Sequence, residues 1–323
     1  MPANTNEPTA ADLTGADLTG ADLRGVDLAV DVVLFTIVED QLNVLLVERE
    51  MEPFRGSLAL PGGFVLADET LEQAALRELK KETGVGTLNP VPGNPRHPRH
   101  RSHRIASERS SGQAESENLF LEQLETYGNP DRDPRGRVVT VAFWAVMAGL
   151  TRIQRGSDVA RAELVPVAGI ESQEVKLAFD HERIVHDAVR RVQAKLRYST
   201  LANRFCPPKY TISQLRKVYN CLWETELDEG NFQRKVRSSP DFVVELEDTR
   251  TFGESGGRPA RLFTQGNAYY LNSPISPPLS LHLSQLSEAV NELRVSFDDK
   301  FGWATSSPEL VGQAPADEDD DQD

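Results

Sequence analysis

The stretch Gly63-Phe64-Val65-Leu66-Ala67-Asp68-Glu69-Thr70-Leu71-Glu72-Gln73-Ala74-Ala75-Leu76-Arg77-Glu78-Leu79-Lys80-Lys81-Glu82-Thr83-Gly84-Val85 is the one from which the rest of the chain is read. Residues 69–83 predict a helix, because Leu71, Ala74, Ala75, Leu76 and Leu79 fall on one stripe at helical spacing. Glu78 and Glu82 are four apart, which puts their carboxylates one turn apart on one face. Lys81, three residues from Glu78, belongs to the same cluster. Alone, such a triplet reads as a solvated, salt-bridged helix face. The fixed spacing of Gly63, Glu69, Arg77 and Gly84 around it argues against that reading. Upstream, residues 57–66 (SLALPGGFVL) read as a strand end, a Gly-Gly turn and a short strand. Before them, Val30, Val32, Leu34, Thr36 and Val38 alternate ahead of Glu39-Asp40-Gln41 and Leu42–Val47, the pattern of a hairpin.

Gly63 to Val85 resembles the Nudix box: glycine, five residues, Glu, seven residues, then Arg-Glu-apolar-any-Glu-Glu-any-Gly-apolar. Its spacing matches throughout, and one specified residue departs, Lys81 standing where the first paired glutamate belongs. The resemblance implies an α/β (α+β) fold, a Nudix α/β/α sandwich. It also implies hydrolysis of a diphosphate linked to another group, with magnesium offsetting phosphate charge and activating water. That ion demands several oxygen ligands in near-octahedral geometry. Lys81 replaces a ligand by a cation that can pair with Glu78, which leaves Glu78 and Glu82 as a vestigial metal pair. Glu69 and Arg77 read as a structural charge pair bracing loop and helix. The expectation is a protein that requires no cofactor, magnesium mattering only to residual hydrolysis.

Residues 119–137, Leu-Phe-Leu-Glu-Gln-Leu-Glu-Thr-Tyr-Gly-Asn-Pro-Asp-Arg-Asp-Pro-Arg-Gly-Arg, resemble the loop of Nudix proteins that bind ADP-ribose. Arg132, Arg135 and Arg137 offer forked donors matched to a diphosphate. Arg55, in Phe54-Arg55-Gly56, and Phe64 are expected to flank the same pocket. A strand follows at Val138–Met147, and Asp180 is placed to cap a helix in which Ile184, Val185, Ala188, Val189, Val192 and Leu196 share a face.

Thr211-Ile212-Ser213-Gln214 is a capping-box signature. Leu215, Val218, Tyr219, Leu222 and Trp223 then trace an amphipathic helix. A break at Glu226-Leu227 and a cap at Asp228 start a shorter helix to Arg237, with Phe232 and Val236 inward and Asn231, Arg234 and Lys235 outward. Phe242–Leu246 and Arg261–Phe263 alternate like two strands across Gly253–Gly257. Helix, turn, helix, hairpin is the winged-helix order. The candidate DNA-contacting residues are Asn231, Arg234, Lys235 and Arg237 on the helix, with Arg258 and Arg261 at the wing.

Nudix-like domain, connecting helix and winged helix together resemble the Nudix-related transcriptional regulators (the NrtR family), over about residues 30–265. The resemblance implies a homodimer on a palindromic double-stranded DNA operator, ADP-ribose or a related nucleotide as effector, and repression of NAD or sugar metabolism. The expected organisation is a leader at 1–28, a Nudix-like effector domain at 29–200 with a disordered insertion at 86–117, a winged helix at 201–270 and a flexible acidic tail at 271–323.

Composition is compatible with this. Of 323 residues, 39% are hydrophobic and 26% charged, enough to bury a core, and no apolar run approaches a membrane span. MPANTNEPTAADL lacks the basic and apolar regions of a signal peptide, so the expected compartment is the cytoplasm, with Cys206 and Cys221 reduced. The net charge of -15 opposes nucleic-acid binding overall, but DNA needs only a local basic face, and Arg234, Lys235 and Arg237 supply one. Residues 11–28 (ADLTG-ADLTG-ADLRG-VDL) resemble pentapeptide repeats, in a stretch long enough for about one coil. Two other readings compete. One is an active magnesium-dependent Nudix hydrolase of ADP-ribose pyrophosphatase type, using Glu78, Glu82 and another acid such as Glu122. The other is an interaction scaffold built on the leader and tails.

Overall fold

The computed structural model describes residues 25–85, 91–92, 119–150, 153, 159–251 and 260–277. These lie, save Pro277, in the first of two compact units, Met1–Ser276. The expectations for most of the repeat leader, most of the Arg/His insertion, the Gly253–Gly257 loop with Arg258, and the acidic tail beyond Pro277 fall outside the described residues.

The chain opens with β1 (Asp27–Val38) and β2 (Gln41–Arg49). Glu39 and Asp40 between them have φ of 51° and 59°, a two-residue turn whose twist suits the flanking strands. The outer end of β1 pairs antiparallel with β2, Phe35 opposite Val44. Its inner part pairs in parallel with β7 (Val138–Val146), Asp27 opposite Val138 through Phe35 opposite Val146. β7 pairs in turn with β6 (Phe120–Tyr127). β8 (Val159–Pro166) and β3 (Leu58–Ala59) add to β2, and β4 (Gly62–Phe64) adds to the start of β1. β5 (Val91–Pro92) pairs with Phe120–Leu121. The stretch expected to be structureless from residue 86 thus contributes a strand, one too short to show a period.

Alternation on β1 makes the sandwich. Val30, Val32 and Leu34 pack with Ala74, Ala75 and Leu79 of α1 (Leu71–Thr83). Asp31, Val33 and Phe35 point to the other face, which α3 (His181–Leu196) covers. The buried face of α1 is the apolar stripe read from the sequence, and Thr70 with Gln73 closes a capping box at its start. Asp180 occupies the N-cap position of α3 but makes no capping hydrogen bond. Its carboxylate is committed to Arg132 instead, a charge-assisted fork that outcompetes a backbone amide.

Gly62 and Gly63 lie in β4 rather than in the expected turn. A Cβ on Gly62 would stand 2.4 Å from the Val30 carbonyl oxygen, and one on Gly63 would stand 2.6 Å from Oε1 of Glu78. The pair is there for close approach, not for a bend.

After α2 (Val167–Glu171), α3 and a 3-10 turn at Leu201–Phe205, the second helical pair is α4 (Ile212–Trp223) and α5 (Glu229–Ser238), followed by the hairpin of β9 (Val243–Thr251) and β10 (Ala260–Gln265). Thr211 and Gln214 form the capping box read from the sequence, and the Asp228 carboxylate accepts from the Asn231 amide. Phe232 and Val236 are buried, with the Phe232 ring 5.3 Å from Tyr219. Trp223 Nε1 donates to the Gln193 carbonyl at 3.1 Å, and Gln193 Nε2 donates to the Leu222 carbonyl at 3.0 Å, so the winged helix is bolted to α3. Beyond β10 the chain returns along the connector. Leu271 N donates to Tyr198 O and Ile275 N to Arg197 O, and both side chains are buried. Order therefore continues past residue 270, where composition alone suggests a tail. Among the described residues no helix is long and apolar enough to cross a membrane.

Candidate functional site: a nucleotide-sized cavity beside a lysine-modified carboxylate helix

A cavity of 420 Å³ opens between β1, β2, β4, α1, the loop before β7 and the start of α3. One wall is the carboxylate helix. Arg77 Nε donates to Glu69 Oε2 at 2.8 Å, and Arg77 also pairs with Glu78 and donates to the Phe64 carbonyl. That hydrogen bond holds the Glu69 carboxyl down at about 2. The bracing role read for Glu69 and Arg77 is what the geometry shows.

Lys81 Nζ lies 3.5 Å from Glu78 Oε2. Glu78 is 4% exposed, with one oxygen facing Arg77 and the other facing Lys81. Glu82 accepts from Gly62 N at 3.1 Å, and burial pushes its carboxyl up to about 8, so it tends to hold a proton at neutral pH. No group of three His, Cys, Asp or Glu side chains suited to a metal ion exists among the described residues. Glu78 engaged by two cations, with Lys81 standing where a further carboxylate would be, does not fit the octahedral oxygen set that magnesium requires. Glu122 cannot complete it. It faces α3, where Lys195 Nζ holds it at 2.5 Å.

The opposite wall is cationic and aromatic. Arg135 grips Asp133 with two nitrogens, and its guanidinium lies 5.3 Å from the Phe64 ring centroid and 5.5 Å from that of Phe179. Arg49 stacks on the same Phe179 ring at 4.7 Å. Burial, and then the proximity of Arg135, lower the Arg49 pKa, while the hydrogen bond to Asp133 raises that of Arg135. Phe54 and Phe179 meet edge to face, centroids 4.8 Å apart. Both have left-handed backbones, φ 65° and 58°, a cost that bulky residues carry where the surroundings enforce it, often at binding sites.

The sequence-derived residues divide. Phe64, Arg132 and Arg135 line the cavity with Glu78, Lys81 and Glu82, whereas Arg55 and Arg137 do not. Arg137 is turned to the Gly128 carbonyl, 2.7 Å away. Arg132 is 8% exposed and tied to Asp180 at 2.7 Å and Asp31 at 3.6 Å, so it braces the wall rather than reaching for a ligand. Arg49 and Asp31 carry no signal in the sequence, whereas Phe179 and His181 lie in Leu177-Ala178-Phe179-Asp180-His181, a stretch that shares the family resemblance but points by itself to no role in the site. His181 is buried and accepts from Leu60 N through Nδ1 at 2.9 Å, with Nε2 3.6 Å from Asp31. Their spacing in sequence carries no signal, since the fold alone brings residues 31, 49, 132 and 181 together.

On the winged helix, Asn231, Arg234 and Arg237 are exposed and Lys235 is half-buried. Asn231 accepts from Arg234, and Arg261 pairs with Glu245 on β9. Cys206 and Cys221 are both free thiols.

Comparison with known proteins agrees with this architecture. The family model described as NUDIX domain matches residues 27–188, and that of the NrtR DNA-binding winged helix domain matches residues 203–264. A model of pentapeptide repeats matches residues 9–29. An ADPR responsive transcriptional repressor NtrR of Acinetobacter baylyi is 29% identical over 238 residues, 73% of this chain and 80% of that protein. An ADP-ribose pyrophosphatase of Methanocaldococcus jannaschii is 34% identical over 154 residues, 48% of this chain and 70% of its own. The crystal structure of Shewanella oneidensis NrtR complexed with a 27mer DNA superposes with a TM-score of 0.60 at 30% identity, covering 77% of this chain and 99% of that one. The chain belongs to the Nudix family, among the members that carry an NrtR-type winged helix.

Proposed function

We propose that this protein is an ADP-ribose-responsive transcriptional repressor whose Nudix domain senses the nucleotide and hydrolyses it little or not at all. The observation that carries the reading is Lys81 against Glu78, in a cavity whose far wall offers Arg49 and Arg135 over aromatic rings. That wall suits a diphosphate flanked by flat or apolar groups, while the helix that hydrolases use for metal has a cation in its place. The response to ADP-ribose of the Acinetobacter relative and the DNA complex of the Shewanella relative support the same pairing of ligands. No cofactor is needed for sensing. The protein acts as a homodimer in the cytoplasm, because one short recognition helix reads too few bases and two copies on a palindrome solve that problem. The regulated genes concern NAD or a related nucleotide or sugar.

The test is a pulldown of fragmented genomic DNA with and without ADP-ribose, followed by gel shifts on the recovered fragments and on Arg234→Ala. ADP-ribose should release the DNA, and Arg234→Ala should lose the specific shift while keeping ligand affinity. Unchanged DNA affinity with ADP-ribose, NAD and related nucleotides would overturn the reading. The hydrolase alternative has one specific support, the 34% identity to a pyrophosphatase. Rapid magnesium-dependent turnover of ADP-ribose in the same samples would favour it.

A further inference from the structure

A small cavity of 40 Å³ lies where the end of α3 meets the 3-10 turn, strand β6 and the segment after β10. It shares no lining residue with the nucleotide-sized cavity. Its cations are Lys195 and Arg204, its polar lining includes Gln265 and Tyr269, and among the described residues no carboxylate lines it. The volume holds about three water-sized groups, too little for a nucleotide and enough for one small anion.

The two cations differ in what neutralises them. Lys195 Nζ pairs with Glu122 at 2.5 Å, and Arg191 lies 3.9 Å from the other oxygen of the same carboxylate. Lys195 is also enclosed by rings, its Nζ 5.8 Å from the centroids of Phe120 and Tyr269 and 5.9 Å from that of Trp144. Arg204 is half-buried, and its guanidinium makes neither an ion pair nor a hydrogen bond with a described residue. Burial lowers its pKa. The ionisable group that acts on it is Tyr269, whose phenol burial pushes up to about 12, so no compensating charge is present at neutral pH. The side-chain amide of Gln265 is likewise unbonded to any described residue. A cation stripped of part of its water and left without a counter-charge is costly, and an anion beside it offsets that cost.

We infer that this pocket binds one free small oxyanion of the phosphate class, held by the Arg204 fork with Lys195 beside it and the Gln265 amide as a further donor. The guanidinium fork matches the oxygens of such an anion, and the aromatic surroundings strengthen the pair. Thr200 ties the same corner together, donating through N to the Tyr269 carbonyl at 3.0 Å and through Oγ1 to the Ala268 carbonyl at 2.8 Å. An anion here braces the connector against the segment that leaves the winged helix. The inference goes beyond the proposed function and does not depend on it.

Equilibrium dialysis of the full-length protein against radiolabelled inorganic phosphate, with ionic strength held constant by chloride, tests this. The wild type should take up phosphate in the millimolar range. Arg204→Gln should lose one bound equivalent, its affinity falling at least about tenfold with the charge-assisted pair removed. Phosphate held in the larger cavity is untouched by that substitution, so the missing equivalent reports this pocket. Gln265→Glu keeps the shape of the side chain and supplies an internal carboxylate to Arg204, so it should lose the same equivalent while retaining the fold, which circular dichroism checks. A merely structural Arg204 would give no such loss in the Gln265 variant. An unchanged number of bound phosphates in both variants would overturn the site, as would a wild type that binds none.

Discussion

The Lys81 ammonium stands 3.5 Å from Oε2 of Glu78, on the face of α1 where a Nudix hydrolase needs carboxylates alone. Replacing it by glutamate removes the cation and adds a ligand. Lys81→Glu should raise magnesium-dependent hydrolysis of ADP-ribose by at least about tenfold, since electrostatic terms at such centres are worth several kcal/mol. Release of AMP and ribose 5-phosphate is the readout. Fast wild-type turnover that Glu78→Gln abolishes would contradict the assigned role of Lys81.

Arg135 and Arg137, two residues apart, should behave differently. Arg135 faces the cavity over Phe64 and Phe179, and Arg137 is turned to Gly128. Arg135→Ala should weaken ADP-ribose binding by roughly tenfold, about 1.4 kcal/mol, as expected for a lost charge-assisted contact. Arg137→Ala should leave it within about twofold. Calorimetry on both variants decides, and equal losses would return Arg137 to the ligand.

Helix α3 touches the cavity at His181 and the winged helix at Gln193, so it is placed to couple them. Ligand alters DNA affinity only if it prefers one arrangement of the two parts. Trp223→Phe deletes one bond of the junction and part of a buried ring, at a stability cost of about 2–3 kcal/mol. It should shrink the change in DNA affinity caused by ADP-ribose without altering ADP-ribose affinity in the absence of DNA. Anisotropy titrations with and without ligand measure this, and an undiminished response would exclude the Gln193–Trp223 contact as part of the coupling.

His181 should make stability depend on pH. Its pKa is lowered, by burial first and then by Arg132 and Arg49, against the opposing pull of Asp31 and Asp180. The folded state therefore binds fewer protons than the unfolded one as pH falls. The stability is fully present above about pH 7 and declines below about 6.5, the ordinary histidine value. His181→Asn, whose side-chain oxygen can still accept from Leu60 N, should flatten the difference between urea midpoints at pH 7.5 and 5.5. An unchanged difference would assign the pH dependence to other groups.

Much of this was legible because it is local. The stripe on α1, the capping boxes at Thr70 and Thr211, the Asp228 cap and the inward turn of Phe232 and Val236 follow from helical periodicity and short-range hydrogen bonding, which neighbouring residues settle among themselves. The Glu78–Lys81 contact belongs to the same class, being three residues apart on one helix. What only the tertiary structure decided is long-range. Asp180 stands where a cap belongs, but Arg132, forty-eight positions away, takes its carboxylate. Gly62 and Gly63 read as a turn, yet they form a strand because Val30 and Glu78 press against it. Arg49 and Phe179 make part of the cavity's cationic and aromatic wall, and no spacing links them. Sequence fixes which residues a helix or turn places side by side. Charge pairing and close packing between distant segments depend on how the sheet brings them together, so the cavity's wall was decided in three dimensions.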